Sequence, residues 1–154
     1  MSETISYTMV PVGEIVKTPS GNRLEIFSEY RSGLCELANY SHLHVLWWAH
    51  EFDDGPNRLV LETDIPYAAK ATRAGVFACR SPQRPNPVMM SVCRMTGIDE
   101  DRGKIYIGKI DAHPGTRIVD LKPYIPCVDR VRSAKVPKWF PPAWGEWLPE
   151  QGIE

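Results

Sequence analysis

Long apolar runs are missing from this sequence. The longest uninterrupted one, Val45 to Ala49, has five residues, whereas a helix needs roughly 20 to cross a bilayer. The opening residues, MSETISYTMV, contain neither the basic segment nor the apolar segment of a secretory signal. We therefore expect a cytoplasmic protein without a membrane segment.

Paired cysteines are also missing. The four cysteines stand at positions 35, 79, 93 and 127, and no two of them form a Cys-x-x-Cys pair. This wide spacing argues against a zinc ribbon and against a small disulfide framework. We expect free thiols that are buried or partly buried, because cysteine behaves as a small hydrophobic residue.

A strong net charge is absent, since lysine and arginine together number 18 against 19 acidic residues, a formal charge of −1. No global basic field therefore indicates a nucleic-acid partner. Local charge is less even: the segment 130–138 carries Arg130, Arg132, Lys135 and Lys138 without an acid. This strip is either a solvated face or a surface that contacts phosphates.

Strand-like segments dominate what is present. Fourteen prolines and eleven glycines in 154 residues argue against long helices, because proline lacks the backbone donor and blocks the preceding turn. Apolar and alternating runs bounded by turn residues predict seven strands, at Tyr7–Val16, Arg23–Phe27, His42–His50, Gly75–Cys79, Val88–Met95, Lys104–Ile110 and Arg117–Leu121. Short strands with frequent turns predict a mostly β protein, a small antiparallel β-barrel or sandwich with short helices.

The end of the chain has a different composition. Residues 137–154 combine four prolines with Trp139, Trp144 and Trp147, so a regular element is excluded while a large apolar area needs cover. We predict a barrel domain over residues 1–136 and an irregular arm over residues 137–154. The arm packs on its own barrel or on a second subunit.

A histidine-rich strand follows from SHLHVLWWAH at 41–50. Alternation places His42, His44 and His50 on one face, with about 6.6 Å between neighbouring same-face positions. A His-x-His pair at this spacing suits a metal site completed by His113 or Glu51. The alternative is a set of hydrogen-bonded imidazoles on a half-polar face, and this interpretation, without a metal, is the one we favour.

A rigid polar loop interrupts two strands at CRSPQRPNPVMM, residues 79–90. Ser81, Arg84 and Asn86 each precede a proline, so the loop is restricted before any ligand binds. Two guanidinium groups suit carboxylate or phosphate oxygens, and the Asn86 amide suits an adenine edge. Recognition of a ligand is therefore favoured over a purely structural loop.

Four segments of the sequence form a further pattern, in the order VGEIVKTPS, GLCELANYSHLHVLWWAH, GVFACRSPQRPNPVMMS and GTRIVDLKPYIP. Together they resemble segments of the TrmO family of YaeB/TsaA-like proteins in the same order, and the third resembles the family signature GVFATRSPxRPNPIGLS. The resemblance implies a β-barrel methyltransferase that uses S-adenosyl-L-methionine without a Rossmann fold. The absence of a G-x-G-x-x-G motif from the sequence agrees with this. It further implies methylation of N6 of threonylcarbamoyladenosine beside the tRNA anticodon, by a homodimer.

The same resemblance implies site residues. Cofactor contacts are expected at Thr18, Pro19, Ser20, His50, Glu51, Arg80, Ser81, Arg84, Asn86, Met90, Asp111, Ala112, His113 and Pro114. Tyr124 and Asp120 are the candidate catalytic bases, and Lys122, Arg130 and Arg132 the candidate substrate-binding residues.

Three departures from the family pattern concern this site. Met89 replaces a family glycine, Pro114 and Arg117 alter the turn around the Gly-Thr pair, and the loop after the first strand is short. We expect cofactor binding to survive these changes, which leave the exact tRNA substrate open. Two other functions also stay open: a non-catalytic adenosine- or RNA-binding barrel, and a metal-dependent β-barrel enzyme that uses His42 and His44.

Overall fold

The architecture was obtained from a computed structural model that describes residues 5–154. Within that range there are eight strands: β1 (Gly13–Thr18), β2 (Gly21–Ile26), β3 (His42–Trp48), β4 (Glu62–Asp64), β5 (Arg73–Gly75), β6 (Val88–Asp99), β7 (Lys104–Ile107) and β8 (Arg117–Pro123). The helices are short. There are two single-turn α-helices, α1 (Gly55–Arg58) and α2 (Pro126–Asp129), and five 3-10 helices, at Ser28–Leu34, Leu37–Asn39, His50–Phe52, Val76–Ala78 and Pro142–Trp144.

Six of these strands close into a barrel in the order β1-β2-β7-β6-β3-β8, while β4 and β5 form a separate two-stranded ribbon. Every pairing is antiparallel. Closure leaves no free sheet edge in the barrel. The predicted mostly β, antiparallel barrel with short helices is confirmed.

The barrel core follows from alternation along the strands. In β3, Leu43, Val45 and Trp47 are buried, whereas the histidines and Trp48 on the opposite face are only half-buried. This is the face assignment predicted from the sequence, because successive side chains of a strand point to opposite sides. Aliphatic side chains of the other strands fill the interior, among them Ile15, Leu24, Ile105 and Ile118, each 0% exposed.

Strand boundaries differ from the prediction at several places. The first strand begins at Gly13 rather than at Tyr7, and Pro11 before it has no backbone donor for a ladder. The predicted strand Gly75–Cys79 is wrong beyond Gly75: residues Val76–Ala78 form a 3-10 turn. The carbonyls of Val76 and Cys79 accept hydrogen bonds from the Arg84 guanidinium, so they are used by a side chain and not by a neighbouring strand.

The remaining predicted strands differ in length. The third strand ends at Trp48 instead of His50, β6 extends to Asp99, β7 ends at Ile107, and β8 extends to Pro123. The short strands β4 and β5 were not predicted, since three residues carry too little alternation to be recognised.

All four cysteines are free, as predicted. Cys93 is buried and Cys79 half-buried, but Cys35 and Cys127 are exposed. The expectation of burial is therefore wrong for those two, which lie at the end of a 3-10 helix and inside α2. Both belong to short helical segments at the surface rather than to inward-facing strand positions.

Over the described residues 5–154, no helix combines the length and the apolar character needed to cross a membrane. The part of the signal-peptide prediction that concerns residues 1–4 lies outside the described residues. The division of the chain at residue 136 stays a prediction.

Candidate functional site

A cavity of about 280 Å³ opens at the end of β3. It is lined by Trp47, Ala49, His50, Glu51, Phe52, Arg80, Pro82, Met89, Asp111, His113 and Thr116. Its volume lies just under the range of about 300–1,000 Å³ usual for small-molecule sites. The cavity is therefore of a size that suits a small-molecule ligand.

Three separate segments build the walls of this cavity. The chain leaving β3 turns into the 3-10 helix His50–Phe52, and the proline loop, residues 79–87, precedes β6. The third wall is the loop of residues 108–116 between β7 and β8. Because β3 pairs with both β6 and β8, opposite Met89 and Ile118 at the position of Trp47, the barrel closure itself brings these segments together.

A hydrogen-bonded chain forms the floor of the cavity. The Trp47 indole Nε1 donates to Ser91 Oγ at 3.0 Å, and Ser91 Oγ donates to Asp111 Oδ1 at 2.6 Å.

Burial, followed by the negative charge of Asp111, raises the pKa of the nearby Cys93 thiol to about 12. The thiol stays protonated at neutral pH and is not a nucleophile.

Charges of both signs face the cavity. Glu51 and Asp111 supply carboxylates, and Arg80 supplies a guanidinium. His113 Nε2 lies 3.8 Å from Glu51 Oε2. A mixed set of this kind suits a zwitterion such as an amino-acid group, whose ammonium pairs with a carboxylate and whose carboxylate pairs with arginine. Trp47, Phe52 and Met89 add aromatic and thioether surface.

The proline loop is braced from within by Arg84. Its guanidinium donates to the carbonyls of Ser81 at 2.6 Å, Val76 at 2.7 Å and Cys79 at 2.6 Å. The cofactor contact of Arg84 stays a prediction: the side chain does not line the cavity, and its Nε and Nη2 groups donate to the loop backbone. The Ser81 hydroxyl likewise accepts from the Gln83 amide at 3.3 Å.

Asn86 is also used inside the protein. Its Oδ1 accepts from Arg58 Nη2 at 3.3 Å, and Arg58 Nε donates to the Pro85 carbonyl at 2.9 Å. Gln83 Nε2 donates to Asn57 Oδ1 at 2.7 Å. The loop is thus held by α1 on its outer side, and Asn86 does not line the cavity either.

Other predicted cofactor residues fall outside the cavity lining. Thr18, Pro19 and Ser20 make the tight turn between β1 and β2, in which Thr18 Oγ1 lies 2.9 Å from both Ser20 Oγ and the Gly21 carbonyl. Met90 faces outward opposite Leu46, and its neighbour Met89 lines the cavity instead because strand side chains alternate. Ala112 is buried in the core and Pro114 is exposed, neither of them in the lining.

The two candidate bases lie away from the cavity in one chain. The backbone of Tyr124 bonds to the His42 carbonyl at 3.0 Å, and His42 lies five residues before Trp47, about 16 Å along the strand. Asp120 bonds to its neighbouring Leu121 amide at 2.9 Å and pairs with Lys122 at 2.8 Å. The hydrogen bond to Asp120, and then its charge, raises the pKa of Lys122. Lys122 and Asp120 thus neutralise each other.

The histidine pair on β3 lies beside Tyr124. The ring centroid of Tyr124 is 6.4 Å from that of His42 and 5.6 Å from that of His44. His44 Nε2 is 3.2 Å from Asp129 Oδ1, but the atoms are not aligned for a hydrogen bond, and both ring nitrogens are buried without a partner. The residues proposed to complete a metal site, His113 and Glu51, lie at the opposite end of β3. Among the described residues, no three His, Cys, Asp or Glu side chains form a group that could hold a metal.

Arg130 and Arg132 follow α2 and are exposed.

A larger depression of about 540 Å³ lies on the barrel wall, lined by Glu14, Glu25, Ile26, Phe27, Ser28, Glu29, Arg31, Arg102 and Lys104. Two of its carboxylates are already paired, Glu14 with Arg117 and Glu25 with Arg23. Its lining contains none of the predicted site residues, so we regard the smaller cavity as the candidate site.

The sequence missed six lining residues: Trp47, Ala49, Phe52, Pro82, Met89 and Thr116. A usable signal existed for Trp47, which the alternation of β3 placed on the interior face next to the strand end. Met89 stood out only as a departure from the family pattern.

Comparison with known proteins supports a single family. Residues 5–130 match the family model described as the tRNA-methyltransferase O N-terminal domain. An Archaeoglobus fulgidus protein named "Probable S-adenosyl-L-methionine-binding protein" is 38% identical over 117 residues, which are 76% of this chain and 30% of that protein. A Methanocaldococcus jannaschii protein of similar name is 35% identical over 116 residues, 75% of this chain and 90% of that protein.

A solved structure shows the same fold. The crystal structure of TrmO from P. aeruginosa superposes with a TM-score of 0.66 at 26% identity, covering 88% of this chain and 62% of that chain. The chain thus spans 30% of the first relative and 62% of the solved protein. The family match over most of the sequence and the shared barrel confirm the resemblance seen in the motifs: the chain belongs to the tRNA-methyltransferase O (TrmO) family.

Proposed function

We propose that the cavity at the end of β3 binds S-adenosyl-L-methionine and that the chain is a methyltransferase. The observation that supports this most directly is the convergence of His50, Glu51, Arg80, Asp111 and His113 on one cavity. They come from three motifs that are far apart in the sequence. Relatives named as S-adenosyl-L-methionine-binding proteins support the same ligand.

The donor set fits this cofactor. Arg80 would pair with the carboxylate of the methionine part, and Asp111 or Glu51 with its ammonium. Trp47, Phe52 and Met89 would face the sulfonium, since aromatic faces and thioether sulfur stabilise a cation without a fixed anion. When bound, the cofactor supplies an electrophilic methyl group that a nucleophilic nitrogen accepts as that nitrogen loses a proton. The chain's part is to hold both reactants in line.

The methyl acceptor we propose is N6 of threonylcarbamoyladenosine next to the anticodon of a tRNA, in the cytoplasm. Arg130, Arg132 and Lys122 would contact phosphates or the threonyl carboxylate. A homodimer would supply the missing part of the site, because the cavity of one chain is small and Tyr124 lies near the far end of β3. In that arrangement, Tyr124 or Asp120 of the second copy accepts the proton.

Calorimetric titration with S-adenosyl-L-methionine tests the cofactor. Arg80→Ala should weaken binding about tenfold or more, since a hydrogen bond to a charged group contributes about 1.5–3 kcal/mol. Arg102→Ala is the matched control, because Arg102 is an exposed arginine outside the cavity. Equal affinity of the two variants would show that Arg80 does not contact the cofactor, and failure of the unmodified chain to bind would refute the proposal.

Salt-dependent tRNA binding tests the acceptor. Replacing Arg130 and Arg132 by glutamine should lower affinity and reduce the slope of log affinity against log salt by about two, one for each lost phosphate contact. Arg102→Gln is again the control. An unchanged slope in the double variant would identify the segment as a solvated surface.

The non-catalytic barrel remains the competing function, favoured by the distance of Tyr124 from the cavity in one chain. Incubation with methyl-labelled cofactor and tRNA that carries threonylcarbamoyladenosine without the methyl group, followed by nucleoside mass spectrometry, separates the two. A methylated threonylcarbamoyladenosine supports the enzyme. Tight cofactor binding with no labelled nucleoside supports the binding protein.

A further inference from the structure

The C-terminal arm, residues 137–154, contacts the β4–β5 ribbon through an aromatic cluster. Tyr67, in the connection between β4 and β5, has its ring centroid 6.0 Å from Trp139, 5.7 Å from Phe140 and 4.7 Å from Trp144. Trp139 and Phe140 also stack on each other at 5.3 Å. Four rings thus join a segment outside the matched family domain to a ribbon inside it.

This ribbon leads directly into one wall of the cavity. Strand β5 continues into the turn Val76–Ala78 and then into Cys79 and Arg80. Val76 is 1% exposed, its amide donates to the Leu61 carbonyl at 2.9 Å, and its carbonyl accepts from Arg84. Tyr67 lies in the connection that enters β5, so the ribbon joins the aromatic cluster to the chain that leads to Arg80.

The far end of the arm holds the opposite wall. The Lys109 amide donates to the Gln151 carbonyl at 2.7 Å. Glu154 lies 3.5 Å from Lys17, whose ammonium donates to the Ile110 carbonyl at 2.6 Å. Asp111 is the next residue along the chain. The arm is thus attached on one side near Arg80 and on the other side near Asp111.

We propose that residues 137–154 form a strap that ties the two walls of the cavity together. In this strap, Tyr67, Trp144 and Gly152 are positioning residues for Arg80 and Asp111. The ribbon needs such support because it has only three residues in each strand and no pairing with the barrel; isolated two-stranded sheets are marginally stable. The seven steps along the backbone from Trp144 to Gln151 can reach at most about 25 Å, so the strap limits how far the walls separate.

The C-terminal end of the strap can be detached from Lys109 by adding a single methyl group at Gly152. Its φ is +85°, and a Cβ there would lie 2.7 Å from the Lys109 carbonyl oxygen. Gly152→Ala therefore disturbs the attachment at Lys109 without touching the cavity or the aromatic cluster. Trp144→Ala releases the other end, and because Trp144 is 53% exposed the barrel should stay folded.

Hydrogen exchange of the full-length, unliganded protein tests the strap. Release at either end should speed exchange at both walls, in the segment 73–84 and in the segment 109–113, because a strap couples them. Trp147→Ala is the matched control: this residue belongs to the same arm, is 72% exposed and has no aromatic partner in the described part of the chain. Faster exchange confined to the wall next to each substitution would overturn the proposal, since it would mean local packing alone.

Titration with S-adenosyl-L-methionine is the second measurement, and this part depends on the proposed function. Trp144→Ala and Gly152→Ala should each weaken binding about fivefold or more relative to Trp147→Ala, whereas Trp144→Phe, which keeps a ring against Tyr67, should restore it. Affinities equal to that of the control would contradict the strap. If the unmodified chain does not bind the cofactor, the proposed function fails while the exchange experiment still decides the strap.

Discussion

Replacement of Ser91 by alanine is the most informative perturbation of the cavity floor. The Ser91 hydroxyl accepts from Trp47 Nε1 at 3.0 Å and donates to Asp111 Oδ1 at 2.6 Å. Trp47 is only 7% exposed, so its indole donor finds no water when the hydroxyl is removed. Asp111 is exposed and can replace the lost donor with solvent.

The expected cost follows from this asymmetry. A buried donor left without a partner costs about 1–3 kcal/mol, and an exposed carboxylate that regains water adds little. We therefore expect Ser91→Ala to lower the free energy of unfolding by about 2 kcal/mol. For a chain of 154 residues, an unfolding entropy of about 0.3 kcal/mol/K converts this into a decrease of about 6 °C in Tm.

Urea unfolding of a double-mutant cycle checks the cause. In a Trp47→Phe background no indole donor is left without a partner, so Ser91→Ala should cost about 2 kcal/mol less than in the unmodified protein. Ser20→Ala, in an exposed turn, is the control for loss of a serine hydroxyl at the surface. An equal cost of Ser91→Ala in both backgrounds would refute the idea that the hydroxyl acts through Trp47.

Four further predictions concern the proline loop, the cysteines and the histidine pair of β3. Arg84→Lys should lower the free energy of unfolding, measured in urea, by about 2 kcal/mol and weaken cofactor binding. The reason is that a lysine ammonium lacks the planar guanidinium geometry with which Arg84 donates to three carbonyls. An unchanged free energy of unfolding and unchanged affinity would contradict the proposed support of the loop by Arg84. Thiol labelling at about pH 8 should be fast at Cys35 and Cys127 and absent at Cys93, since only the thiolate reacts; rapid labelling of Cys93 in the native state would contradict its raised pKa. The stabilising contribution of Cys93 should be complete below its unfolded pKa of 9.0 and be lost as the pH rises toward about 12, a loss absent from Cys93→Ala. His44→Phe should leave Tm unchanged or raise it, because two unpartnered buried nitrogens are removed; a clear decrease in Tm would show that the contact with Asp129 is stabilising.

Local sequence determined most of the barrel and part of the site. Alternation in β3 specified which side chains enter the core, because strand geometry leaves only two faces to choose between. The proline loop was recognised as rigid because proline restricts its own backbone and that of the preceding residue. Motif residues such as Arg80 and Asp111 could be nominated because they stand in segments of recognisable family pattern.

Only the tertiary structure decided how these residues are used. The sequence offers Arg84 as a second ligand-binding arginine, and the structure shows that its guanidinium donates to the carbonyls of Val76 and Cys79. Met89 rather than Met90 lines the cavity, because the pairing of β3 with β6 sets which of two adjacent methionines faces inward.

For the C-terminal arm as well, the sequence alone did not specify which surface the segment contacts. Its prolines and tryptophans predicted an irregular segment that packs on something, but composition does not contain the identity of the contacted surface. Contacts between Trp144 and Tyr67, and between Gln151 and Lys109, join residues 77 and 42 positions apart in the sequence. The sequence by itself determined the barrel, the rigid proline loop and the functional groups that a site can use, because these depend on residues that are neighbours in the chain. The tertiary structure decided the shape of the cavity and the contacts that support its walls, because these depend on which distant segments the closed barrel brings together.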